Sequence, residues 1–351
     1  MRAYAHPFYW REASLCVPAL PLLMTAGILL GQVGPAAVAV GSAFAVGFGA
    51  SRDLGGRRWA AMRTALIGMT LATLIGSTFG AHLVVIAALA FLAAAVAAAL
   101  VLIDEDLWWV CLQVVIALLV SAAYAGPPSQ AFGRAGLVLA GGALQILIIA
   151  VLARVFPQAS ARLPRSTGVL PSPPRLVLSH GARAGLSVAL ALVAATALKL
   201  GNSYWAPMTA MLVLRPGLRQ TRLRGVARLG GTLGGAIAAM AYVALFGEAP
   251  WLLAIGVTLS AGAAFALQKA HYSLLTFAIT ATVVLLTTLG HGGVVANSEH
   301  RLWATILGGA IALGAAAILP HRPRRPVCDL SLTPAEHPGQ ADHRTGDAAR
   351  E

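Results

Sequence analysis

Charged side chains are scarce in this sequence, and acidic ones are the scarcest. Asp, Glu, Lys and Arg together make up 11% of the 351 residues, and only 12 of those residues are acidic. Hydrophobic residues make up 58%. A soluble domain carries about 25% charged residues. The composition therefore excludes an ordinary water-soluble fold and favours an all-α polytopic membrane protein.

Motifs for catalysis and for cofactor binding are missing as well. The sequence has no Walker loop, no dinucleotide-binding glycine fingerprint, no His-Glu-x-x-His and no nucleophile elbow. Its three cysteines, Cys16, Cys111 and Cys328, have no metal or disulfide spacing. We therefore expect a protein that is not an enzyme, with no catalytic residue, no metal and no cofactor.

Apolar runs are what the sequence does contain. The hydropathy predicts about 12 transmembrane segments, at residues 13–31, 34–50, 59–80, 82–102, 107–125, 132–155, 180–200, 203–217, 226–247, 250–268, 270–290 and 301–319. A spanning helix needs about 20 residues. The second and eighth segments are shorter than that, so they are expected to be tilted, re-entrant or half-buried.

The net charge of +13 comes from arginines in the short loops between these segments. If the N-terminus is cytoplasmic, 22 of the 25 Lys and Arg residues lie on the inner side, and Arg134, Lys199 and Arg301 lie outside. Membrane proteins keep positive charge inside. Both termini are therefore predicted to be cytoplasmic, with the lipid bilayer and not nucleic acid as the partner of the basic residues.

The two halves of the chain resemble each other. Arg134, Gly141 and Gly142 match Arg301, Gly308 and Gly309 at an offset of 167, and Arg63 resembles Arg228 at an offset near 165. Six segments in each half give both halves the same membrane orientation, which predicts two parallel six-segment repeats with a pathway at their interface. The predicted organisation is a first membrane repeat at 1–156, a cytoplasmic linker at 157–179, a second membrane repeat at 180–320 and a disordered cytoplasmic tail at 321–351.

The stretch from Tyr204 to Gly235 joins an aromatic pair, a short apolar run, the break at Arg215-Pro216 and a glycine-rich helix. This stretch resembles the signature of the fusaric acid resistance protein-like family of bacterial membrane transporters. The resemblance covers 180–320 well and the first half weakly. It implies a transporter of the bacterial inner membrane that exports small organic anions, with aromatic carboxylates as the substrate class. Arg215 stands where family members commonly have glutamine.

Eight residues are candidates for substrate binding, and they fall into two groups. Five are arginines near apolar segments, where charge is costly and could attract an anion; three belong to the family motif and could line a cavity for a ring-bearing ligand. They are Arg63, Arg134, Arg215, Arg228, Arg301, Tyr204, Trp205 and Thr209. The competing interpretation gives the arginines topological or headgroup-binding roles and makes the aromatic pair an interfacial anchor.

Carboxylates up to residue 328 fall at segment ends or in loops, so no buried proton carrier is evident. His82, His180, His271 or His291 could serve instead. The run Asp104–Asp106 predicts a solvated turn, and the patch at 321–326 predicts contact with anionic lipid.

Three other functions stay open at this stage: a passive anion channel, a membrane enzyme acting on lipid-linked substrates, and a non-catalytic accessory subunit. The membrane enzyme would require a cytoplasmic cluster of a nucleophile and a base, and the sequence shows none. A homodimer is also open.

Overall fold

The computed structural model of the chain describes residues 8–57, 59–160, 173–290 and 293–318. These residues form thirteen α-helices, and 3-10 turns lie at Phe48–Ser51 and Pro157–Ser160. The helices are α1 Trp10–Cys16, α2 Ala19–Leu29, α3 Val33–Gly47, α4 Ala60–Phe79, α5 Leu83–Leu100, α6 Glu105–Ala122, α7 Pro128–Val155, α8 Pro174–Ala197, α9 Trp205–Val213, α10 Leu218–Phe246, α11 Pro250–Ala266, α12 Tyr272–Gly290 and α13 Val294–Ile318.

The described part of the chain has ten helical segments that are long and apolar enough to cross a membrane. α11 is apolar too and has 17 residues. Backbone amides inside a bilayer must be satisfied within the protein, and a helix does this along its own length. The protein is therefore an all-α polytopic membrane protein, as the composition predicts.

Each of the twelve predicted segments corresponds to an observed helical segment. The first segment consists of α1 and α2, which are separated at Val17-Pro18 because proline has no amide hydrogen to donate within a helix. The eighth segment is α9, which has nine residues. At 1.5 Å per residue it is about 13 Å long, less than half of a bilayer core of about 30 Å. The helical part of the eighth segment is therefore too short to span the membrane by itself.

One local expectation is wrong. The arginine-rich stretch before the ninth segment was expected to be a loop, but α10 begins at Leu218 and carries Arg219, Arg222, Arg224 and Arg228. Arginine is a good helix former, and Pro216 with the extended Gly217 sets the start of the helix. α8 and α13 also begin six or seven residues before their predicted segments.

Some sequence-based expectations concern residues that the structure does not describe. These residues are His291, most of the predicted linker (161–172), the basic patch at 321–326 and the predicted disordered tail at 321–351.

The helix packing repeats between the two halves. α4 packs on α6 and α7, as α10 packs on α12 and α13; α3 packs on α7, as α9 packs on α13. The halves are also interlocked, because α5 packs on α8 and, correspondingly, α11 packs on α1 and α2. The predicted repeat is therefore visible in the packing.

Glycine permits the closest of these contacts. A Cβ atom added to Gly141 of α7 would collide with the carbonyl oxygen of Ala39 of α3, and one added to Gly308 of α13 would collide with that of Ala206 of α9. Small residues let helix backbones approach in membranes. The Gly-Gly match in the sequence thus marks the same helix crossing in each half.

Candidate anion site

Arg301 is the largest side chain that is almost completely buried, with 2% of its surface exposed. It lies in the second turn of α13, and its guanidinium carbon is 3.9 Å from the ring centroid of Trp205 at the start of α9. Its Nε donates a hydrogen bond to Thr280 Oγ1 of α12 at 3.3 Å. The tight crossing of α13 over α9 at Gly308 holds the arginine and the indole together.

The two terminal nitrogens of Arg301 are buried and have no hydrogen-bond partner. Among the described residues, the salt bridges join Arg52 to Glu105 and to Asp106, so none of them neutralises Arg301. An unpaired buried charge costs several kcal/mol. A guanidinium in this state has an open pair of N–H groups on one edge, which is the geometry that binds a carboxylate through two parallel hydrogen bonds.

Arg228 adds a second buried charge. It lies on α10 with 4% of its surface exposed, and its Nε has no hydrogen-bond partner. It lies within electrostatic range of Arg301 and of the Tyr272 hydroxyl. Two neighbouring cations in a low-dielectric interior repel each other. The potential between α10, α12 and α13 is therefore strongly positive.

The four helices that carry Arg301, Arg228, Trp205 and Thr280 also carry unsatisfied hydroxyl groups. Five buried hydroxyls on α9, α10, α12 and α13 have no hydrogen-bond partner: Thr209, Thr232, Tyr272, Thr276 and Ser298. A hydroxyl can donate to an anion, and leaving it unsatisfied in a dry interior costs free energy. The described part of this interior offers donors without a matching carboxylate.

Four of the predicted site residues lie along one row of aromatic and arginine side chains that crosses between the halves. Arg134 lies 5.5 Å from the ring centroid of Tyr124. The ring centroid of Tyr124 is 6.3 Å from that of Tyr204, which is 4.9 Å from that of Trp205. The guanidinium of Arg301 stacks on the Trp205 ring. The row links the predicted equivalents Arg134 and Arg301 through aromatic rings.

Arg134 differs from Arg301 because its side chain is bonded. Its NH1 donates to Ser77 Oγ at 3.0 Å and to the carbonyl oxygen of Tyr124. Arg63 is further removed from the site: it is exposed on α4. The structure therefore brings Arg228, Arg301, Tyr204, Trp205 and Thr209 to one interior, places Arg134 beside it and leaves Arg63 on the surface.

Arg215 follows the end of α9, at the predicted break before Pro216. Its guanidinium lies 5.5 Å from the Trp108 ring of α6, at a contact between the two halves. The carbonyls freed by the break are bonded: Arg183 donates to those of Arg215 and Pro216 at 3.0 and 3.1 Å, and Arg224 donates to that of Leu212 at 2.9 Å. The arginines around this turn therefore complete the backbone hydrogen bonding of an interrupted helix.

The acidic run has a local structural role. Asp104 caps α6, because its Oδ1 accepts hydrogen bonds from the amides of Asp106 at 2.8 Å and Leu107 at 2.9 Å. Glu105 and Asp106 pair with Arg52. No group of His, Cys, Asp and Glu in the described ranges is arranged to hold a metal ion.

The candidate histidines lie in different environments. His82 and His271 are exposed, whereas His180 is buried on α8 with its Nδ1 3.2 Å from Arg183. His180 thus belongs to the arginine cluster at the end of α9.

Sequence reasoning missed the hydroxyl groups of α12. Tyr272, Thr276 and Thr280 are spaced by four residues and so share one face of this apolar helix. That spacing was the available signal, but threonine is common in membrane helices. Arg183 was also missed, because it appeared to belong to the basic loop after the linker.

Comparison with known proteins supports the resemblance found in the sequence. Residues 189–315 match the sequence model of the fusaric acid resistance protein-like family. A curated relative, the uncharacterized protein ORF2 of Neisseria gonorrhoeae, is 31% identical over 146 residues, or 41% of this chain. That match spans about a third of the relative, 34% of its length. No solved structure matches the chain. The matched residues include α9, α10, α12 and most of α13, so the similarity to the fusaric acid resistance protein-like family covers the part of the chain that holds Arg228 and Arg301.

Proposed function

We propose that the protein is a membrane transporter of small organic anions, and that it binds them between α9, α10, α12 and α13. The observation that carries this proposal is Arg301: a fully buried guanidinium, stacked on Trp205, with both terminal nitrogens unsatisfied. A bound carboxylate would pair with Arg301, reduce its repulsion with Arg228 and accept hydrogen bonds from nearby hydroxyls.

Aromatic carboxylates are the substrate class that fits best. A carboxylate matches the open edge of a guanidinium with two parallel hydrogen bonds, and an attached ring could pack against Trp205 and Tyr204 by stacking. The family takes its name from resistance to fusaric acid, which is itself an aromatic carboxylic acid. The similarity to this family supports export across a bacterial inner membrane, and the distribution of arginine supports cytoplasmic termini.

Flux through the purified protein tests the proposal. Proteoliposomes loaded with 4-hydroxybenzoate should release it faster than protein-free liposomes loaded in the same way. The substitution Arg301→Gln should abolish most of this difference in release rate. Arg63→Gln is the matched control, because it removes an exposed arginine with the same substitution. Equal flux in the parent and in Arg301→Gln would contradict the assigned site. No flux in the parent, with or without a proton gradient, would favour the accessory subunit.

A passive anion channel is the second candidate, and the placement of the carboxylates favours it. Glu248 and Glu299 are exposed, and Glu105 and Asp106 are paired with Arg52. The partly buried Glu12 and Asp53 belong to the first half, on α1 and before α4, and not to the helices of the proposed site. Proton-coupled carriers commonly use a buried carboxylate. A channel should pass 4-hydroxybenzoate in response to membrane potential alone, whereas a proton-coupled carrier should accumulate it against its gradient when a pH difference is imposed.

A further inference from the structure

We propose that each chain has a single anion site, in its second half, and that Trp109 fills the equivalent place in the first half. This inference rests on the proposed function, because it concerns how many substrate sites the repeat creates. A parallel repeat would by default give two equivalent sites. The packing of the first half argues against that default.

The structure sets the register of the comparison. A Cβ atom added to Gly68 of α4 would meet Val114 of α6, and one added to Gly235 of α10 would meet Phe277, Thr280 and Ala281 of α12. Gly68 and Gly235 are 167 positions apart, as are Val114 and Ala281, and the contact of Gly141 with Ala39 recurs at the same offset as that of Gly308 with Ala206. The offset is therefore 167 for all four helices of the site, and the 165 offset that paired Arg63 with Arg228 is wrong.

At this offset, the first half has apolar residues at the positions of Arg228, Thr232 and Thr276, whereas Thr209 and Thr280 correspond to the buried polar residues Ser42 and Gln113. Arg228 corresponds to Ala61, Thr232 to Ala65 and Thr276 to Trp109. These three first-half residues are buried and pack in one hydrophobic cluster, with Ala61 and Ala65 at 0% exposure and Trp109 at 4%. Trp109 packs with both alanines, and the end of its indole ring lies against Gly49, so these three positions carry no charge.

Two further correspondences make the first half unsuitable for an anion. Tyr272 corresponds to Glu105, so a carboxylate stands where the second half has a phenol, and it pairs with Arg52. Arg301 corresponds to Arg134, whose NH1 is already bonded to Ser77 and to the Tyr124 carbonyl. The first-half arginine is thus committed to the protein, whereas the terminal nitrogens of Arg301 are open.

The two repeats therefore have different roles. The second half binds the anion, and the first half supplies a rigid counterpart of the same shape. Trp109 is the residue that distinguishes them most in size, because a large apolar ring stands in the first half where the second half has the hydroxyl of Thr276.

Counting bound anions on the full chain tests this inference. The probe is radiolabelled 4-hydroxybenzoate, measured by equilibrium dialysis against the purified protein in nanodiscs. We expect one anion per chain. Arg301→Gln should weaken binding about 100-fold, as expected for loss of a buried charged partner, and Arg134→Gln should change the affinity less than threefold. Arg301→Lys keeps the charge but loses the planar pair of N–H donors. If this variant folds, its affinity for the anion should lie between those of the parent and Arg301→Gln.

Two anions per chain in the parent, with one lost in Arg134→Gln, would overturn the single-site inference while leaving the proposed function intact. The stoichiometry of the parent needs no variant, so misfolding of a mutant cannot obscure it. No binding by the parent would contradict the proposed function, and the single site with it.

Discussion

Replacing Arg301 with methionine should make the protein without ligand more stable while removing its ability to bind an anion. Arg301 is 2% exposed, its two terminal nitrogens have no partner, and Arg228 lies within electrostatic range. Replacing buried ionic groups by apolar side chains of similar volume is often stabilising by about 1–4 kcal/mol. Methionine is unbranched and apolar, so it can occupy much of the same space beside Trp205.

The substitution also removes two favourable interactions of Arg301. The stacking of Arg301 on Trp205 is worth about 2 kcal/mol when it is desolvated, and the bond to Thr280 is worth about 1 kcal/mol. These terms are already contained in net values measured by replacing whole ionic groups, so a gain of about 1–4 kcal/mol remains the expectation. At about 2 °C per kcal/mol, the melting temperature should rise by about 2–8 °C.

Thermal unfolding in detergent, with and without 4-hydroxybenzoate, measures this effect. The parent should be stabilised by the anion, by about 2.7 kcal/mol at a concentration of 100 Kd, and Arg301→Met should not respond. Arg63→Met is the control and should change the stability by less than about 0.5 kcal/mol, because Arg63 is exposed. A lower melting temperature for Arg301→Met without ligand would show that Arg301 stabilises the fold, and would refute the argument from its unpaired charge.

Three further predictions follow from the fold. Gly308→Ala should destabilise the protein by about 1–3 kcal/mol, because the added methyl group collides with the Ala206 carbonyl; Gly309→Ala, whose Cβ meets nothing within 4 Å, should be neutral or slightly stabilising in the same thermal assay. Asp104→Ala should lower the stability by about 1 kcal/mol by removing the cap of α6, and Asp104→Ser should restore most of it; equal stability of the three proteins would show that the cap is not needed. Phosphatase and fluorescent-protein fusions at residue 351 and in the 157–180 stretch should both report a cytoplasmic location, and phosphatase activity at either position would disprove the predicted topology.

The number and order of the membrane segments could be predicted from the sequence, because hydropathy depends on composition over about 20 residues and not on neighbours. The Gly-Gly match also identified a real helix crossing, since close backbone approach requires glycine at fixed positions. The start of α10 could not be predicted from hydropathy, because the first turns of this helix are too polar to raise the hydropathy of the window. Arginine nevertheless favours a helix, so these turns are helical.

The candidate site was predictable only in part. Arg301 and Arg228 stood out because charge near an apolar segment is costly. The roles of Arg63 and Arg134 depend on which way each side chain points and on what it bonds, and one sequence does not show either. An error of two residues in the offset rotates a helix by about 200°. This rotation explains why Arg63 looked equivalent to the buried Arg228 and yet lies on the surface.

The shortness of α9 has an electrostatic consequence. A helix carries about half a positive charge at its N-terminus and half a negative charge at its C-terminus, and most membrane helices place both ends in the polar interfaces. Both ends of α9 instead lie against protein side chains. The helix starts at Trp205, whose ring stacks on Arg301. At its other end, Arg183 donates to the carbonyls of Arg215 and Pro216, and Arg224 donates to that of Leu212. The negative end is thereby offset by guanidinium groups, and at the positive end the amides of Trp205 and Ala206 donate to the carbonyls of Asn202 and Ser203. The interrupted helix therefore adds little dipole field of its own, and the charge that an anion would meet beside it is that of the arginines.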